Sequence, residues 1–140
     1  MRLLPLLVVA TLLASPSFAV SQAPPAQATA INPTTGTEMT TFYMVLLRRG
    51  PAWTASATPE SMAISRAHQE NIQKLTAAGK MVVAGPFLDQ TGAQALSGLF
   101  ILRVGSLEEA RATVSTDPAV TAGRFTFEII PWMGPKTLKY

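Results

Sequence analysis

Residues 58–79 read TPESMAISRAHQENIQKLTAAG, and their reading as a helix between two apolar strands decides the fold. Thr58 suits an N-cap, Pro59 the first helical position and Glu60 the positive end of the helix dipole. Ile64, His68, Ile72 and Leu75 recur at the period of one helix face. Gly79 supplies a C-terminal stop, so the helix is predicted to end at about Ala78. This apolar stripe carries the chain's only histidine. Its ring is therefore predicted to face the core, where a titratable group must find a partner or stay neutral.

Upstream of the helix, Phe42–Leu47 (FYMVLL) is a continuous apolar run. It predicts a central strand buried on both faces. Arg48-Arg49-Gly50-Pro51 stops it, and a loop carrying Trp53 follows. Downstream, Met81–Ala84 reads as a second strand ended by Gly85-Pro86. Phe87–Gly92 is a loop with turn residues. Leu96–Val104 is a third strand. Ser106 and Glu109 have the spacing of a capping box and open a short helix to about Ser115. Asp117 then caps a single turn that Gly123 ends, and Arg124–Ile130 alternates as a fourth strand. The order β-α-β-β-α-β predicts an α+β, ferredoxin-like split arrangement: a four-stranded antiparallel sheet with both helices on one face. The opposite face would be bare. That predicts a homodimer, with two sheets in a dimeric α/β barrel-like assembly.

The rest of the chain bounds the function. Arg2 followed by an apolar run from Leu3 to Ala14 and small residues at Ser17 and Ala19 reads as a signal peptide over residues 1–19. The apolar run is about a dozen residues, short of the roughly 20 that span a bilayer. The mature protein is therefore expected to be periplasmic or secreted, with no membrane contact after cleavage. Residues 20–40, rich in Ala, Pro, Thr and Gln, read as a disordered linker. The domain is expected over 41–135, and 136–140 form a C-terminal tail. The net charge of +3 comes without a basic stripe, which gives no nucleic-acid signal. The absence of cysteine excludes thiolate chemistry and cysteine metal sites, and a single histidine excludes a multi-histidine site within one chain. No metal and no cofactor is expected. No nucleophile motif or phosphate loop is present.

Several segments together resemble the YCII (YciI-like) family over about residues 41–135. They are Leu46-Leu47-Arg48-Arg49-Gly50-Pro51, Arg66-Ala67-His68, Gly79-Lys80 leading to Ala84-Gly85-Pro86-Phe87, Ser106–Ala110, and Asp117-Pro118-Ala119-Val120 with Gly123. The resemblance implies a ferredoxin-like fold, a dimer and a histidine–aspartate pair as active site. The family includes a dehydrochlorinase acting on a chlorinated hydroxyhydroquinone. The histidine falls on His68, and the aspartate on Asp117 or, in the Gly-Pro-Phe-Leu-Asp loop, on Asp89. An aspartate holding one tautomer of His68 would make it a general acid or base on a small organic molecule, in lyase- or isomerase-like chemistry. Arg48, Ser65, Trp53, Gly85 and Pro86 are candidate substrate-binding residues. Each also has a structural reading: strand end, helix surface, dimer packing, strand stop. A non-catalytic small-molecule binding module and a purely structural dimerisation domain are the alternatives to an enzyme.

Overall fold

A computed structural model of the chain describes residues 28–88, 91 and 95–139. The elements in order are β1 (Thr29–Ile31), β2 (Glu38–Arg49), α1 (Pro59–Ala77), β3 (Met81–Pro86), β4 (Leu96–Leu102), α2 (Leu107–Ser115), α3 (Pro118–Thr121) and β5 (Phe125–Pro135). All strand pairs are antiparallel. β5 pairs along β2 from Met39 to Arg49. On the other edge β2 pairs with β4, which in turn pairs with β3. The order β5-β2-β4-β3 is that of a split βαβ sheet, with the long strand in the middle.

Alternation along β2 sorts its side chains to two faces. Tyr43, Val45 and Leu47 face the helices and bury against Phe100 and Leu102 of β4, Met81 of β3, and Ala110 and Val114 of α2. Ile72 and Leu75 of α1 and Val120 of α3 pack onto the same cluster. The helices therefore lie on one sheet face. Phe42 faces the other way and clusters with Val82 and Ile101, with Trp132 and Leu138 packed alongside.

The structure differs from the expected architecture in three places. The described sheet has five strands, because Thr29–Ile31, inside the expected linker, pairs with the start of β2 through Ala30 opposite Met39. Asn32 makes this turn: its side chain accepts from Thr34 and Thr35, and Gly36, at φ 67°, closes it. The polar composition that suggested a spacer is also the composition of a turn and an exposed edge strand. β5 runs to Pro135, past the expected end at Ile130; as an edge strand among the described residues it tolerates Pro131 and Pro135. The C-terminal tail packs against the sheet. The Lys136 amide bonds Glu38, Leu138 covers part of the second sheet face, and the Arg103 guanidinium donates to the Leu138 carbonyl. That face is therefore partly covered by the chain itself. Ile130 stays 41% exposed on that face.

Local signals explain the helix ends. Thr58 accepts from the Ser61 amide, and Gly79, at φ 70°, follows the Ala78 cap. Ser106 accepts from the Glu109 amide. Glu109 reaches back one residue beyond the capping box, to the Gly105 amide, while also pairing with Lys80.

Candidate functional site

His68 lies midway along α1 and only 9% of its surface is exposed. Its Nδ1 lies 2.8 Å from Asp117 Oδ1 and 3.0 Å from Oδ2. Asp117 is 1% exposed and its carboxylate takes two further donors: Asn71 Nδ2 at 2.9 Å and the Ala119 amide at 2.9 Å. Asn71 is three residues after His68, on the same helix face. The Ala119 bond is the N-cap of α3, which fixes the carboxylate to the backbone. Burial by itself raises the Asp117 pKa and is the largest single influence. The hydrogen bonds from His68 and Asn71, the charge of His68 and the Ala119 amide together outweigh it, so the carboxyl is held below its ordinary range. An ionised Asp117 only accepts, so Nδ1 carries hydrogen and Nε2 is the nitrogen left to act.

Two rings hold the imidazole sideways. Phe100 stacks at 5.7 Å between centroids with 29° between planes, and Phe125 meets it edge-on at 5.5 Å and 62°. The ring forms part of the wall of a cavity of about 330 Å³. This is the small end of the range for ligand pockets. The wall opposite the helix is built where β4 is irregular. Leu47 pairs with Gly98 and Arg48 with Leu96, so Ser97 is an extra residue in the ladder, and Ser97 and Gly98 both line the cavity. Such a bulge re-aims side chains beside a site.

Of the candidate residues, the structure brings together His68, Asp117, Ser65, Trp53, Gly85 and Pro86. The last four line the cavity with His68. The Ser65 hydroxyl donates to the Ser61 carbonyl at 2.9 Å, so its proton is committed to the helix backbone. Trp53 is held by the Arg49 guanidinium, 3.8 Å from the ring centroid. Arg48 is placed elsewhere. One residue on from Leu47, it points to the opposite sheet face, where it lies 3.8 Å from Glu128. Its side chain therefore lies away from the cavity that Ser65, Trp53, Gly85 and Pro86 line. Asp89 lies outside the described residues.

Sequence reasoning missed Asn71, Phe100, Phe125 and Arg124. Asn71 was detectable as a polar residue one turn beyond His68. Arg124 lines the cavity, and its Nη2 donates to the Thr54 carbonyl at 3.2 Å. Its position depends on Gly123, at φ 70°, which turns the chain out of α3, and on Gly50. A Cβ on Gly50 would sit 2.3 Å from the Gly123 carbonyl oxygen, so only glycine lets the end of β2 approach this turn.

No curated protein matches the chain. Among solved structures, the 5-chloro-2-hydroxyhydroquinone dehydrochlorinase of Burkholderia phenoliruptrix AC1100, in complex with 2,5-dihydroxybenzoquinone, is similar to it. The identity is 22% and the TM-score 0.48, over 65% of this chain and 92% of that one. The model of the YCII-related domain matches residues 41–133, from within β2 to within β5, and the chain belongs to that family.

Proposed function

We propose that this protein is a small-molecule enzyme in which His68 is the general acid and base and Asp117 orients it. The carrying observation is one buried carboxylate on Nδ1 of a histidine whose ring also walls a cavity. Asp117 selects the tautomer and stabilises the imidazolium formed when Nε2 takes a proton. The electron pair left on the bound molecule then has two fates. It expels a leaving group from the adjacent atom, a lyase reaction, or it is reprotonated elsewhere by the imidazolium, an isomerisation. Both need a weakly acidic C–H or O–H placed at Nε2. Trp53, Gly85 and Pro86 bound the space for that molecule.

The same reading includes two features of setting. The protein works as a homodimer, with a second copy on the sheet face that leaves Ile130 exposed. It works after export, following removal of residues 1–19.

The test is turnover by His68→Gln against wild type, in a screen of hydroxylated aromatics and small lactones. Loss of about 10²-fold or more with the fold preserved by circular dichroism is the expected result. Equal turnover in the two proteins rejects the role.

A further inference from the structure

We infer that the cavity takes a small organic anion, held at its charged end by Arg124. Arg124 carries the only fixed charge among the described residues that line the cavity, and none of them is acidic. The ion pairs among the described residues use other cations: Arg48 with Glu128, His68 with Asp117, Lys80 with Glu109, and Lys136 with Glu38. Arg124 is part-buried, and the partner it has among the described residues is the Thr54 carbonyl, which takes one of its five N–H donors. A half-buried guanidinium on the wall of a largely apolar cavity has N–H donors left to offer a ligand. Its planar fork matches a carboxylate.

The backbone fixes this cation relative to His68. The Arg124 amide donates to the Ala119 carbonyl at 2.9 Å, and its carbonyl accepts from the Gly50 amide at 2.8 Å. Ala119 is also the residue whose amide caps onto Asp117. One short helix therefore sets both the orienter of the imidazole and the anchor for the anion. With the anion on Arg124, the rest of a small ligand falls between that group and the histidine. The aromatic side chains of Trp53, Phe100 and Phe125 on the cavity wall favour a flat molecule. The inference rests on the proposed general acid–base reading only for where the reacting proton lies; binding of the anion stands apart from it.

The experiment compares benzoate with benzamide, its neutral isostere, binding to the full-length chain. Binding is followed by isothermal calorimetry and by tryptophan fluorescence. Wild type should bind benzoate about tenfold more tightly than benzamide, the scale of one charge-assisted hydrogen-bond pair. Arg124→Gln should abolish the preference and Arg124→Lys should keep part of it. Equal affinity for the two probes in wild type overturns the inference. So does a preference that survives Arg124→Gln, or no benzoate binding at millimolar concentration. The His68→Gln turnover test reads the catalytic role separately, so loss of either reading leaves the other measurable.

Discussion

Removing the Asp117 carboxylate should be the most damaging single change at the site, and its size follows from the geometry. Three donors converge on a group that is 1% exposed: His68 Nδ1, Asn71 Nδ2 and the Ala119 amide. Asp117→Ala leaves all three without an acceptor, at about 1–2 kcal/mol each, of which the lost cap is about 1 kcal/mol. The expected loss is therefore about 3–5 kcal/mol, the scale of breaking a buried pair. A domain of this size has roughly 5–15 kcal/mol in all. Asp117→Asn keeps the shape and one acceptor but turns an amide N–H toward a donor, at about 1–3 kcal/mol. The pH dependence has a definite sign. The folded pKa of Asp117 is depressed, so its stabilisation is fully present above the unfolded value, about pH 4, and is lost as pH falls through the folded value. Urea unfolding gives each stability from midpoint and slope. The gap between wild type and Asp117→Asn should be wide near neutrality and narrow progressively as pH falls below about 4. A gap for Asp117→Ala under about 1 kcal/mol, the scale of an exposed ion pair, refutes the reasoning. A gap for Asp117→Asn that does not change with pH refutes the assigned linkage.

The remaining predictions concern setting. Size-exclusion with light scattering should give about twice the mass of the mature chain, from pairing through the second sheet face; a clean monomer at micromolar concentration rejects the dimer. Mass spectrometry of the protein from its native host should place the mature start near Val20, and an intact Met1 rejects export.

The order of elements was legible because each carries its own punctuation. Thr58-Pro59, Gly79, Ser106, Asp117 and Gly123 all mark ends that the structure also has. The burial of His68 was legible from periodicity, since Ile72 and Leu75 lie on the same face. Three things were not. β1 has no apolar period, because it is an exposed three-residue edge strand whose pairing comes from a distant partner. The face on which Arg48 lies depends on strand phase, and a one-residue step reverses it. Arg124 read as the start of a strand, and its side chain meets the cavity only because the Gly123 turn packs against Gly50, 73 positions earlier in the chain.

That packing also explains why so small a domain can hold a precise site. His68 and Asp117 are 49 residues apart, and Arg124 donates to Thr54, 70 residues away. None of these groups is placed by its neighbours in sequence alone. α3, only four residues long, joins them: its cap is Asp117, and beyond its C-terminal end its Ala119 carbonyl accepts from the Arg124 amide. Ala119 itself is 2% exposed, so the helix is clamped at its centre while both ends work. A side chain held by a cap or by a backbone bond from a packed element loses little freedom when a ligand arrives. Long loops would have to order such groups at the moment of binding. The fold therefore places His68 and Arg124 on the wall of one small cavity, using elements whose geometry is already fixed by the core.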